Sequence, residues 1–466
     1  MISALVLRKH NTIYPVAMGL FVAWLYSFPM YGPLLAETAS KMKVDPTTCF
    51  LVFTVFHALG LIGYGYFSDS VNNRDISGHM HISLLSISFI TVVFPFMPAS
   101  AAVYLIGAVG LLSAPAMVIY QTFFAGHIDP GMRGKILGSA LIIAQVINIP
   151  FTLPGRTGLP LWAELTASGF LPVLSLIVFT RADNMESVGT GRKSTEAPGF
   201  YWPAFVIIIL GFYTVGGLMY SIVYTKWFTT GEYTSTIAMI FYALLAITSG
   251  FIADRFGRRY LMVLALSLTG LGFVSMIPFA DNSGNFAGFS LLQAGFAAMD
   301  LFVFLTVSDW AFSMRKPVFF IGLATSLNVF SIFISTLVFA RILPGIQARI
   351  SGQIFGAACV LILVPLVIFI RETLVRENGG DDKTIEETAE TTDINNRQSL
   401  KDLAGKFRLT PREIDVAALL LEGRSSIEIQ EILNIKNNTL KTHLRNIYSK
   451  TEVGSQREFV LMALKK

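Results

Sequence analysis

The sequence predicts an all-α protein in two parts, twelve transmembrane helices in two six-helix halves followed by a small bundle of four short helices. Three observations predict it. The 466 residues are 53% hydrophobic and only 14% charged, with mean hydropathy +0.61, which is too apolar for an ordinary soluble protein. Apolar runs of transmembrane length recur as far as residue 371. Beyond them the pattern changes to an acidic stretch and then to short amphipathic segments.

A membrane-crossing helix needs about 20 mostly apolar residues, because lipid offers the backbone no other partner. On that length the spans fall at 11–35, 47–68, 80–97, 100–124, 134–155, 160–180, 201–225, 233–253, 260–279, 285–308, 317–341 and 350–371. The third and fourth are separated only by Pro98, Ala99 and Ser100. The first lacks a small-residue cleavage site and reads as a retained helix. Cys49 and Cys359 both sit in apolar runs far apart, which gives neither a disulfide framework nor a metal-ligand spacing. No metal, cofactor or catalytic constellation is apparent, so no enzyme is expected.

Loop charge sets the orientation. With the N-terminus inside, the inner segments carry Arg8, Lys9, Arg74, Arg133, Lys135, Arg181, Arg192, Lys193, Arg255, Arg258, Arg259, Arg315, Lys316, Arg371 and Arg376. The outer loops carry Lys41, Lys43, Arg156, Lys226, Arg341 and Arg349. Fifteen against six favours both termini in the cytoplasm, in a multi-pass protein of the inner cell membrane.

A repeated loop relates the halves. Gly250, Asp254, Arg255, Gly257, Arg258 and Arg259 join the eighth and ninth spans; Gly65 and Asp69, followed by Arg74, join the second and third. The glycine permits close helix approach, the aspartate can meet backbone donors at a helix N-terminus, and the arginines suit an anionic inner leaflet. This arrangement resembles the major facilitator superfamily over residues 1 to about 375, with halves at about 1–181 and 199–375. The resemblance implies two bundles around a central cavity and a role for the loops in conformational switching. The first copy departs from the family pattern, with Ser70, Asn72 and Asn73 where basic, Gly and basic residues are usual.

Residues 376–399 hold Asp381, Asp382, Glu386, Glu387, Glu390 and Asp393 with little apolar content, and read as a flexible acidic linker. A coil of about 22 residues spans roughly 25 Å.

From 400 to 466 the periodicity is that of short soluble helices. Thr410 is an N-cap, Pro411 stands at the first helical position and Glu413 completes a capping box. A first helix runs to Glu422 and ends at Gly423; a second covers about 426–433. After the turn Asn434-Ile435-Lys436 a third runs from about Asn437 to Thr451, and a last one covers 456–464. Leu409-Thr410-Pro411-Arg412-Glu413, Glu422-Gly423, Glu428-Ile429 and Thr439 through Tyr448 together resemble the LuxR/GerE-type helix-turn-helix of bacterial regulators. The resemblance implies promoter DNA as a partner, read by Lys441, Thr442 and Arg445, with Arg412, Thr439 and Lys450 on phosphates. It also implies a homodimer through the last helix, with Phe459, Val460 and Leu464 on one side, and RNA polymerase as a further partner. Gln430 and Lys436 depart from the family's usual Ala and Ser. The third helix is basic by its own composition, with Lys441, His443, Arg445 and Lys450 and no acid, as major-groove entry requires.

Ionisable residues inside spans are candidates for ligand contact: Asp300 in the tenth, His57 in the second and Glu164 near the outer end of the sixth. Asp300 has an alternative as a structural partner of Gln293 or Asn328. Gln121, Gln145, Asn148 and Asn328 are expected to hydrogen-bond across helices. The function expected is that of a membrane-embedded, one-component transcriptional regulator sensing an unknown small molecule. The alternative is a secondary transporter with a regulatory DNA-binding tail; a third reading makes the body a mere anchor.

Overall fold

The computed structural model describes residues 2–30, 32–69, 76–153, 158–181, 202–219, 234–276, 285–342, 405–421, 426–435 and 437–451, together with 453, 459 and 462. All its regular elements are helical among the described residues. The chain divides into two compact units, Met1–Ile370 and Arg371–Lys466.

The larger unit begins with α1 (Ile2–Ser27), a short α2 (Pro33–Lys41), α3 (Pro46–Ser68), α4 (Ile76–Val93), α5 (Ala99–His127), α6 (Arg133–Thr152) and α7 (Leu161–Thr180). It continues with α8 (Trp202–Met219), α9 (Thr234–Phe256), α10 (Arg259–Met276), α11 (Asn285–Ala311) and α12 (Pro317–Leu337), the last closed by a π-helical turn at Val338–Ile342. Eight of these are long and apolar enough to cross a membrane, and three shorter apolar helices lie within α1, α8 and α10. The expected twelfth span, 350–371, the acidic linker and Cys359 lie outside the described residues. Large apolar side chains such as Phe89, Tyr104 and Leu244 face outward, as helices bathed in lipid require, and the chain is a multi-pass membrane protein.

Local sequence sets the boundaries. The first expected span begins and ends earlier than predicted: α1 stops at Ser27, and Pro33 opens α2 as an N-terminal residue, the place where a missing N–H costs nothing. Asp45 caps α3 by accepting from the backbone N–H groups of Thr47 and Thr48 at 3.1 and 3.2 Å, ahead of Pro46. The narrow gap before α5 is a 3₁₀ turn at Phe94–Phe96 followed by Pro98.

Within the first half α1 packs on α6 and α7, α3 on α5, and α4 on α5 and α7. In the second, α9 and α10 pack on α11, and α8 on α12. Among the described residues the halves meet chiefly along two crossings, α3 with α12 and α6 with α9. Helix α11 is the most enclosed of the eight, with 83% of its apolar window buried against 39% for α4, so a polar residue on it faces protein.

The smaller unit holds α13 (Pro411–Leu421), α14 (Ser426–Leu433) and α15 (Asn437–Thr451), at the places the sequence predicts. They pack pairwise around Leu409, Val416, Leu420, Ile429, Leu440 and Ile447. Asn434 turns the chain between α14 and α15 with φ +50°, a left-handed conformation asparagine tolerates better than most residues. Of the expected last helix only Phe459 and Met462 are described. Phe459 is fully buried in this unit's own core beside Tyr448, so it packs within the domain and is not available to a partner chain.

Candidate ligand cavity, loop clamp and nucleic-acid interface

Small residues at the crossings let backbones touch. A methyl group built on Gly134 would meet the carbonyl oxygen of Gly250, and one on Gly250 that of Gly134. At the other crossing a methyl on Gly322 would meet the carbonyl of Leu61, and one on Gly65 that of Val318 at 2.9 Å. Each approach brings an aspartate to the N-terminus of the opposite half's helix. Asp254 accepts from the N–H groups of Gly134 and Lys135 at 2.7 and 2.9 Å, and Asp69 from those of Val318 and Phe319 at 3.4 and 2.8 Å. These are the orphan donors of a first helical turn, with the dipole favouring a carboxylate. A lysine covers the neighbouring ring in each case: Lys135 lies 5.2 Å from Phe251, Lys316 5.0 Å from Tyr66.

The remaining loop residues divide by role. Gly257 takes φ +101° where the chain leaves α9, a conformation that favours glycine. Arg258 donates to Asp309 Oδ2 at 2.9 Å, to Asp254 Oδ1 at 3.4 Å and to the Pro130 carbonyl at 3.1 Å. Asp309 is also held by Arg133, whose Nη1 lies 2.6 Å from Oδ1 while its other nitrogens donate to the carbonyls of Ile128 and Ala125. Arg255 and Arg259 are exposed, each beside its neighbouring aromatic ring. Arg133 and Asp309 were not singled out from the sequence. The signal was there: Met132-Arg133 before α6 recurs as Met314-Arg315 before α12.

A cavity of about 170 Å³ lies inside the unit between the two halves, with Asp300 and His57 among its lining residues. Asp300 projects from α11 and accepts from Tyr213 Oη on α8 at 2.5 Å and from Tyr242 Oη on α9 at 2.7 Å. The hydroxyl of Tyr26, on α1, lies 3.4 Å from that of Tyr242 and carries the cluster into the first half. The tyrosines are thus the partners of Asp300 in place of Gln293 or Asn328. His57 is tied to α5, its Nδ1 lying 3.1 Å from the Gly110 carbonyl and 2.9 Å from Ser113 Oγ, a helix-joining contact as much as a cavity wall. Glu164 is buried in the first turn of α7 and does not line the cavity. Of the amides, Gln121 bridges the halves as expected, accepting from Thr325 at 2.7 Å. Asn148 does not: both its amide atoms are buried without a partner, as are Gln145 Oε1 and Asn328 Oδ1.

In the smaller unit the capping box closes reciprocally. Thr410 N–H donates to Glu413 Oε2 at 2.8 Å, and Glu413 N–H to Thr410 Oγ1 at 3.4 Å. Lys450 Nζ reaches the same carboxylate at 2.6 Å and the Arg408 carbonyl at 3.2 Å. Burial alone pushes the Glu413 carboxyl up, but the Lys450 ammonium and the Thr410 donors more than offset it and hold it below its usual range. Lys450 therefore turns toward its own domain, where the family resemblance implied a phosphate contact. On α15, Leu440 and Ile447 are buried while Thr439, Thr442 and Arg445 are exposed. Lys441 lies on the same helix. Arg412 is at the surface, 3.3 Å from Asp415, an exposed pair of small energetic consequence.

Comparison with known proteins agrees with both parts. Residues 408–463 match GerE, the bacterial regulatory proteins of the luxR family. The tail is 34% identical over 68 residues to the HTH-type transcriptional regulator MalT of Vibrio cholerae, covering 15% of this chain and 8% of that protein. It is 44% identical over 52 residues to the Monoamine regulon transcriptional regulator of Klebsiella aerogenes, covering 11% and 23%. The chain thus spans a small part of these relatives. The body is similar to the major facilitator superfamily proton:xylose symporter XylE, with TM-score 0.58 at 13% identity over 80% of this chain and 96% of that one. It is equally similar to a bacterial homologue of the iron transporter ferroportin, with TM-score 0.58 at 11% identity over 79% and 99%. The chain therefore joins a transporter-type membrane fold to a DNA-binding regulator domain. In particular, it carries a LuxR-type helix-turn-helix at its C-terminus and a major facilitator-like body before it.

Proposed function

We propose that this protein is a membrane-embedded one-component transcriptional regulator, which senses a small molecule through its transporter-like body and binds promoter DNA through its tail. The observation that carries the reading is the fusion itself: a LuxR-type domain follows, in one chain, a two-half body enclosing a cavity. Arg445 and Thr442, with Lys441, read base edges in the major groove, and Thr439 and Arg412 meet phosphates. The body crosses the inner membrane twelve times with both termini in the cytoplasm, the loop charges being the support for that topology. A homodimer formed through other residues of the last helix reads two half-sites and acts on RNA polymerase.

The ligand acts by binding one arrangement of the halves more tightly than the other. A shift from nearly all of one state to nearly all of the other needs about 10⁴-fold differential affinity. Footprinting of the full-length protein in nanodiscs on its own upstream DNA is expected to show a sequence-selective site. Lys441→Ala with Arg445→Ala is expected to weaken it by about 1–3 kcal/mol per lost base contact. No selective protection, or protection unaltered by the double substitution, rejects the reading. Substrate uptake by proteoliposomes that responds to Asp300→Asn, with no operator binding, would favour a transporter instead.

A further inference from the structure

The cavity has a definite hydrogen-bonding imbalance. Among the described residues Asp300 is the carboxyl group lining it, and no Lys or Arg does. Each oxygen of Asp300 takes one tyrosine hydroxyl and keeps a second acceptor site. Gln145 Oε1 on α6 and Asn328 Oδ1 on α12 also line the cavity and are buried acceptors without a donor among the described residues; Gln145 is 5% exposed. A buried polar atom left unpaired is costly, so the unfilled acceptor capacity of this cavity calls for a donor. The rest of the lining is largely apolar and adaptable, with Met18, Met117 and Met239 on other helices and Phe296 and Phe304 one turn either side of Asp300 on α11, flexible thioethers and rings that tolerate varied bodies and attract cations.

Resting on the sensor reading above, we propose that the cavity binds a protonated primary amine carried on an apolar or aromatic body. The ammonium sits at Asp300 and donates to Gln145 and Asn328, and the body lies among the methionines and phenylalanines. Three N–H donors match one carboxylate and two amide oxygens. An anion of the same shape is repelled by the Asp300 carboxylate, and a neutral alcohol supplies only one donor. Tyr26, 3.4 Å from Tyr242, gives an ammonium at Asp300 a route to both halves.

The test uses the full-length protein in nanodiscs and three matched series of probes: primary alkyl- and phenylalkylamines, the corresponding alcohols and the corresponding carboxylates. Binding is measured by calorimetry. The best amine is expected to bind at least about tenfold more tightly than its alcohol and to exclude its carboxylate. Asp300→Asn is expected to erase that preference while leaving alcohol binding in place, and Gln145→Met to reduce it in part. The comparison of series on the unaltered protein stands even where a variant fails to fold. Equal or tighter binding of alcohols or carboxylates overturns the proposal, as does failure of every amine to bind or a preference that survives Asp300→Asn. Amine-selective binding without any change in operator occupancy would overturn the sensor reading and leave the ligand class standing.

Discussion

The two crossings between the halves share a glycine approach, a capping aspartate and a lysine over an aromatic ring, yet among the described residues the α6–α9 crossing adds a largely buried arginine–carboxylate network where the α3–α12 crossing adds only an exposed pair, Arg341 with Asp45. Asp254, Arg258, Asp309 and Arg133 tie α6, α9 and α11 together there, whereas Asp69 meets backbone N–H groups of α12. The Arg133 side chain is only 7% exposed, so its charge depends on that network. The difference teaches that a shared geometry can be held with unequal strength. The α3–α12 crossing is expected to be the weaker clamp, since its Arg341–Asp45 pair is exposed and exposed pairs contribute little.

The largest expected effect probes what the crossings share. Gly250→Leu and Gly322→Leu each drive a side chain into facing backbone, and both are expected to abolish monodisperse protein in detergent; survival of either breaks the supposed equivalence. Next comes Asp309→Asn, which leaves the largely buried Arg133 without its carboxylate and Arg258 with that of Asp254 alone. Breaking a buried pair costs about 3–5 kcal/mol, so a large fall in the thermal midpoint is expected, and an unchanged midpoint would show that the network is idle. Asp254→Asn is expected to cost more than Asp69→Asn, by about 1 kcal/mol, since it also loses Arg258. Equal midpoints would make the two clamps alike. The smallest effect is shared again: Lys135→Met and Lys316→Met are each expected to cost about 0.5–1 kcal/mol.

What was legible in the sequence follows from range. The apolar runs, the capping box at Thr410 and Glu413 and the turn at Asn434 are encoded within a few residues, and the three described helices of the tail fell where periodicity placed them. The paired loops were legible because one local pattern occurs twice. The partners of Asp300 were not: Tyr213 and Tyr242 lie 87 and 58 residues away, and only packing brings them to one carboxyl. Lys450 misled for the same reason, since its charge suits phosphate equally well until α13 and α15 fold together and Glu413 claims it. Glu164 looked like Asp300 in sequence, but α7 does not reach the cavity. Asn148 has the composition of a cross-helix bond without the geometry.

The central claim is that the membrane body governs the tail. It is tested most directly by operator-binding isotherms of the full-length protein in nanodiscs, wild type against Arg258→Gln, which loosens the stronger clamp without touching the tail. The account predicts a shift in operator affinity of about fivefold or more, the scale of a typical coupling between sites. Superimposable isotherms, with both proteins folded, would contradict it and leave the body an anchor.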